Sequence, residues 1–278
     1  MAHARRGGGG EVNVPDLRAA DTRSRATAEG LLAEWSVFID FDGTISREDV
    51  GIHLLDRFVA GRYETIDARY EDGTIGSRQY VRELWGVLAG VDRGELLRAA
   101  REVPLDPGLD PLLAFLDAGG AEVSVISDGL GFYVHDLLAG RHVTVRANQV
   151  DDLDRPGFPF ADPSCPCGLC GTCKASPLRD ARRRGRRTAI VGDGTSDRFA
   201  VGEAELVFAK GRLVDWCTKD SVPYLAFEGL ADVLGAFREL SAGRHGRRPA
   251  RPAAAGRRRG DSPGTSGPGR SGPDLRDR

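Results

Sequence analysis

Four short stretches of this 278-residue chain carry residues able to do chemistry together. The first is Asp40-Phe41-Asp42-Gly43-Thr44, at the end of the apolar run Trp35–Asp42. If that run is a strand, its side chains alternate, and Asp40 and Asp42 lean to the same side. Two neighbouring carboxylates repel unless a cation or a shared proton intervenes. Mg2+ is the natural cation for an all-oxygen site that keeps some waters. One acid of such a pair can act as a nucleophile while the other exchanges protons. Taken in isolation, two Asp at a strand end more often make an acidic turn.

The second stretch, Ser127-Asp128-Gly129, closes the apolar run Ala121–Ser127 and offers a hydroxyl and turn amides to an anion. The third is Lys174, which follows a loop; the chain has only three Lys among its 39 basic residues. The fourth is Gly192-Asp193-Gly194-Thr195-Ser196-Asp197, two acids four apart at the end of Arg187–Asp193. Alone, Ser127 reads as a turn serine and Lys174 as a solvated surface lysine. Their weight comes from the order: acid pair, hydroxyl, lysine, acid pair.

The elements that must position them are near-continuous apolar strands separated by helical patterns, with Leu206–Ala209 and Tyr224–Phe227 as shorter strand candidates. Such strands belong to a parallel sheet covered on both faces. The fold class is therefore α/β, with a Rossmann-like parallel sheet, and ligand sites there lie beyond the carboxyl ends of the strands. Between the first two strands, Glu48–Glu102 is long and helical, exceeding an ordinary crossover. It reads as a helical cap, at about residues 50–104, that could cover the strand ends like a lid.

Composition bounds the rest. With 40% hydrophobic and 29% charged residues the chain is an ordinary soluble type, and no apolar run approaches the roughly 18 residues that span a bilayer. Residues 1–33 and 243–278 lack hydrophobic periodicity and are expected to be disordered basic ends; the second holds ten Arg against three acids. That tail has no aromatic residue for base stacking, so neither nucleic acid nor membrane is an expected partner. The folded domain is expected at 34–242. No apolar stretch follows the basic Met1–Gly10, so a cytoplasmic, reducing compartment is expected. There, Cys165, Cys167, Cys170 and Cys173 suggest thiols or a metal before disulfides. Four thiolates could hold structural Zn2+ and stiffen the loop that delivers Lys174. Four Cys in one short loop do not match the usual paired knuckles, and uncoordinated thiols are the alternative.

In these four stretches the chain resembles the haloacid-dehalogenase-like superfamily of aspartate-nucleophile phosphatases, over about residues 35–240. The resemblance implies that Asp40 attacks phosphorus and that Asp42 protonates the leaving oxygen, then activates water. It implies Mg2+ on the Asp40 carboxylate, the Asp42 carbonyl and the Asp193 carboxylate. Asp197 would orient Lys174 or a water on the metal. Ser127 and the Gly129 amide would bind phosphoryl oxygens, and Lys174 would neutralise charge. The place of the cap is similar to the phosphoserine-phosphatase-like branch. Within that branch the chain resembles the methionine-salvage phosphatases of 2-hydroxy-3-keto-5-methylthiopentenyl-1-phosphate. Asp49 stands where phosphoserine phosphatases typically place a Glu for the substrate amine, the Cys-rich segment precedes Lys174, and Val207-Phe208-Ala209-Lys210 is followed by Trp216-Cys217. The pattern departs at Asp128, where members usually carry Ser-Gly-Gly; an acid there adds negative charge near the expected phosphate. The implied activity is Mg2+-dependent hydrolysis of a small phosphorylated metabolite, the keto-enol phosphate ahead of phosphoserine, because Asp49 reaches one methylene less than Glu. The plain alternative for Asp49 is an acid favoured at a helix start. A phosphate-sensing scaffold on the same fold is the non-enzymatic alternative.

Overall fold

Strand β1 (Trp35–Ile39) is buried at every position, which a strand can be only when sheet flanks both edges and helices cover both faces. The computed structural model, which describes residues 30–152, 155–165 and 169–243, places it at the centre of a seven-stranded sheet. On one side lie β2 (Glu122–Leu130), β3 (Thr144–Asp152) and β4 (Arg155–Gly157); on the other lie β5 (Arg187–Gly192), β6 (Leu206–Ala209) and β7 (Leu225–Ala226). All pairings are parallel except that of β3 with β4.

The two faces follow the strand period. Val37, Ile39, Val125, Ala189 and Val191 enter one core; Phe38, Ile126 and Ile190 enter the other. The second core is closed by α7 (Ala175–Arg183), α8 (Arg198–Val201) and α9 (Gly211–Lys219). The first is closed by α5 (Leu109–Ala118), α6 (Gly131–Leu137) and α10 (Leu230–Ser241), and it continues into the inserted helices.

Those are α1 (Val50–Val59), α2 (Glu64–Glu71), α3 (Ser77–Gly86) and α4 (Arg93–Ala100), the helical cap. Each is too short to hold itself together in water. Packing of Leu54, Leu55, Leu84, Trp85 and Leu96 supplies what propensity cannot. Asp49 and Asp92 start α1 and α4 by accepting from the Ile52 and Glu95 amides at 2.9 and 3.0 Å. Helix α2 buries none of its residues. It is held to α3 by stacking of Tyr70 on Tyr80 and by the Tyr80 hydroxyl donating to Asp67 at 2.9 Å.

Two details differ from the sequence expectation. Residues 30–33 belong to the domain rather than to a disordered end: Leu32 is buried and its amide donates to the Gly119 carbonyl. The remainder of the expected disordered ends, 1–29 and 244–278, lies outside the described residues. Strands β3 and β4 were not anticipated, because Thr144–Asp152 lacks the apolar run that marked the others. No described helix is long and apolar enough to cross a membrane.

Candidate active site

Register decides what meets at the carboxyl ends. Ile39 pairs with Val125 on one side and Val191 on the other. Asp40, whose amide donates to the Val191 carbonyl at 2.9 Å, is therefore the first residue beyond these pairs, and the neighbouring strands turn polar within two residues of the same level, at Ser127 and Asp193. Asp40 Oδ1 accepts from the Phe41 amide and lies 2.7 Å from Lys174 Nζ. The same Nζ is 2.8 Å from Asp197 Oδ1, and all three side chains are nearly sealed from solvent. Burial, then the Asp197 charge, push the Asp40 carboxyl well above the usual carboxylate range, with Lys174 opposing. Burial works against the Lys174 charge, but Asp197 and Asp40 outweigh it and hold the ammonium protonated.

Asp42 has a different setting. Its Oδ1 accepts from the Val50 amide at 3.1 Å, and Oδ2 accepts from the Tyr133 hydroxyl at 3.0 Å and from Ser127 Oγ at 3.3 Å. Burial first, then the charge of Asp49, push Asp42 up to about 8, so its carboxyl carries a proton at neutral pH. The turn between Asp42 and Thr44 passes close to Asp193. Gly43 has φ +74° there, and a side-chain carbon would collide with the Asp193 carboxylate. Thr44 Oγ1 donates to Asp193 Oδ1 at 2.8 Å. Burial and Asp197 push Asp193 up to about 6.

Carboxylate oxygens of Asp40, Asp193 and Asp197 lie within 4.8 Å of one another, a crowding of charge that a divalent cation relieves. The three are not equivalent. Asp197 Oδ1 takes Lys174, and its Oδ2 accepts the Asp193 and Gly194 amides at 3.2 and 3.1 Å. Asp40 and Asp193 each keep one oxygen without a hydrogen bond among the described residues. The donors fit Mg2+: all oxygen, two carboxylates, and room beside them for water.

Ser127 Oγ accepts from the Gly129 amide at 2.8 Å, so hydroxyl and amide face one another beside Asp42. Asp49 lines the same cavity, of about 340 Å3, which runs from Asp40 and Lys174 up to the cap. Its carboxylate is also the α1 N-cap, and burial raises its pKa. The cavity wall formed by the cap is both apolar and polar: Ile52, Val81, Leu84 and Trp85 beside Asp67 and Tyr70. Thus Asp40, Asp42, Asp49, Ser127, Gly129, Lys174, Asp193 and Asp197 are brought around one space. Tyr133 also lines that space, and Asn148 holds the Asp128 carbonyl from outside it; both escaped the sequence reading. Tyr133 sits six residues after Ser127, the spacing of a helix that begins where the strand ends.

The cysteine loop lies behind Lys174. Cys165 and Cys170 are half-buried and Cys173 buried; Cys167 lies outside the described residues. A hydrogen bond with the Cys170 side chain, with help from the Ser176 and Ala175 amides and from Cys165, holds the Cys173 thiol down at about 6 against the effect of burial.

A parallel sheet with an acid pair after β1, a serine near the end of β2, a buried lysine before α7 and an acid pair after β5 defines one class of enzyme. Residues 37–200 match the haloacid dehalogenase-like hydrolase family, and the chain belongs to it. Over 211 residues the chain is 28% identical to the 2-hydroxy-3-keto-5-methylthiopentenyl-1-phosphate phosphatase of Geobacillus kaustophilus, which covers 73% of this chain and 96% of that protein. A protein of the same name from Exiguobacterium sp. is 28% identical over 207 residues, or 71% and 94%. Among solved structures, a phosphoserine phosphatase with a phospho-aspartyl intermediate analogue shares the fold at TM-score 0.59 and 17% identity, covering 73% of this chain and 98% of that one. The phosphoserine phosphatase of T. onnurineus does so at TM-score 0.57 and 17% identity, covering 76% and 97%.

Proposed function

We propose that this protein is a Mg2+-dependent phosphomonoester hydrolase that works through a covalent phosphate on Asp40. The observation that carries this is the division of labour between two buried acids. Asp40 is in contact with the Lys174 ammonium, which favours its anion against burial and the Asp197 charge, whereas Asp42 has no cation in contact and keeps its proton near pH 7. An Asp40 oxygen attacks phosphorus and the bond to the ester oxygen breaks. Asp42 gives its proton to that departing oxygen. The Asp42 carboxylate then takes a proton from water as the water oxygen attacks the phosphorus, and the bond to Asp40 breaks. Proton and electron pairs balance over the two steps, and the enzyme returns to its starting state.

Ser127 Oγ–H and the Gly129 N–H separate from each other to receive phosphoryl oxygens. Asp40 and Asp193 would hold Mg2+, with the Asp42 carbonyl, and the ion supplies positive charge to the phosphoryl group when bound. Asp197 holds Lys174 and shapes the turn at Gly194, which is a different task from ligation. The test is hydrolysis of p-nitrophenyl phosphate with added Mg2+ and with EDTA. Activity that ignores both would refute the Mg2+ dependence; no activity in a folded protein would favour a phosphate-sensing scaffold.

For the substrate, the names of the relatives support the methionine-salvage keto-enol phosphate. The cavity adds a physical reason to rank it above phosphoserine. Beyond Lys174, its lining has one basic residue among the described residues, Arg212, and that side chain is paired with Glu71 of α2. A substrate carboxylate would find no uncommitted cation, whereas the apolar wall of Ile52, Leu84 and Trp85 suits a methylthio-bearing chain. Specificity constants for the two compounds decide between them.

The cysteine loop is proposed to hold structural Zn2+ through Cys165, Cys167, Cys170 and Cys173; what supports it is the meeting of three of these side chains at Cys173. One Zn per chain by elemental analysis, lost in Cys170→Ser, is the expected result. A metal-free protein of full activity would remove zinc from the account.

A further inference from the structure

We infer that Asp128 is a positioning residue that joins the phosphate-binding turn to the loop that delivers Lys174, the loop on which the cap is seated. The inference rests on the hydrolase reading above for its kinetic consequences, but its geometry stands apart from it.

An acid between Ser127 and Gly129 should repel the phosphate it sits beside. The structure turns it elsewhere. The pairing of β2 with β3 slips between Ile126 and Leu130, so the backbone at 127–129 leaves the regular ladder. The Asp128 carbonyl is instead satisfied by Asn148 Nδ2 at 2.6 Å, from the middle of β3. The Asp128 carboxylate accepts the Thr172 amide at 2.8 Å, and Asn148 Oδ1 accepts the Thr172 hydroxyl at 3.1 Å. Thr172 is thus gripped at its amide and its hydroxyl by two sheet residues, with Thr172 and Asn148 both sealed from solvent. Two residues later comes Lys174. With the Cys173 amide on the Phe160 carbonyl at 2.9 Å, these bonds set where the lysine starts.

The cap is tied to the same loop. Ser77 Oγ, at the start of cap helix α3, accepts the Gly171 amide at 3.0 Å. Next to it, the Arg78 amide donates to the Leu169 carbonyl at 2.9 Å and Arg78 Nε to the Cys170 carbonyl at 3.2 Å. The residue before Thr172 therefore bonds to the cap, and Thr172 itself bonds to Asp128. Their fit is close: a methyl added at Gly171 would stand 3.1 Å from both Asn148 and Asp128. A glycine in place of Asp128 would leave the buried Thr172 amide without its acceptor, a loss of the kind that costs more than the bond is worth when made.

The test is a double-mutant cycle on p-nitrophenyl phosphate hydrolysis, joined to amide hydrogen exchange. Asp128→Ala should lower kcat about tenfold, the effect of roughly 1.4 kcal/mol, and speed exchange at Gly171 and Thr172. Asp128→Asn keeps an oxygen for the Thr172 amide and should recover most of the rate. In a Lys174→Arg background, Asp128→Ala should cost less than about twofold more, because the two act through one group. An equal tenfold loss in that background would mean that Asp128 acts on the phosphate directly, and Asn as damaging as Ala would mean that charge rather than the bond matters; either overturns the inference. Should Asp128→Ala fail to fold, Ser77→Ala opens the cap side of the strap alone, with faster exchange at Gly171 expected and unchanged exchange fatal. If the wild-type protein hydrolyses nothing, the hydrolase reading fails, and the exchange data alone judge the strap.

Discussion

The sheet ends and the cap meet across one cavity, yet they are held by different forces. At the sheet ends, strand register brings Asp40, Ser127 and Asp193 to one edge, and each side chain has a partner from another segment of the chain. In the cap, four short helices lean on apolar contacts, and α2 buries no residue at all. An arrangement defined by sheet hydrogen bonds tolerates little change, whereas packed short helices can shift and be replaced. On the proposed function, the chemistry belongs to the sheet ends and selection to the cap. Proteins that share the sheet can then differ in what they accept.

The sharpest way to break this contrast is Asp40→Asn. Turnover should fall by more than about a thousandfold, since the nucleophile is lost, while the melting temperature stays or rises as one buried charge disappears. Retained turnover in the folded variant would place the chemistry elsewhere. In the cap, Leu84→Ala should destabilise by about 2–5 kcal/mol through the cavity it leaves in α3. Urea unfolding measures this, and a change within error would mean that the cap does not share the core.

Asp49→Ala tests a residue that belongs to both halves. Loss of the α1 cap should cost about 1 kcal/mol. If Asp49 also touches substrate, the ratio of specificity constants for keto-enol phosphate and phosphoserine should move as well; a stability loss with an unmoved ratio makes it a helix cap alone.

The smallest expected effect lies at the start of the cysteine loop. Hydrogen bonds from the Ser164 hydroxyl and amide, with Arg179 nearby, hold Asp162 down at about 2. Its folded value lies below its unfolded one, so the stabilisation is present above about pH 4 and fades as pH falls towards 2. Melting of Asp162→Ala should lag the wild type by a degree or two at pH 6 and match it near pH 2. A gap that persists at pH 2 would mean that packing, not the carboxylate, matters there.

Much of the site was legible before any coordinates. Asp40, Asp42, Lys174, Asp193 and Asp197 announce themselves because polar residues that end apolar strands must share the edge of one sheet. The cap was legible as an insertion too long for a crossover. β3 was not, since its burial comes from β2 and β4 rather than from an apolar run of its own. Tyr133 was hidden because a tyrosine in a short helix reads as core until its hydroxyl is seen on Asp42.

By itself, then, the amino-acid order determined the reaction class: which acids are paired, that a hydroxyl and a lysine follow, and that helices separate the strands. These are local properties, set by side-chain type and the two-residue period of a strand. Tertiary structure decided what each acid does. Asp42 carries a proton because burial and Asp49 surround it. Asp197 serves Lys174 because two backbone amides and the ammonium occupy its oxygens. Asp128 holds the Lys174 loop because Thr172, 44 residues later, presents an amide that needs an acceptor. Such roles depend on partners distant in the chain and on exclusion of water, and neither is written in the spacing of neighbouring residues.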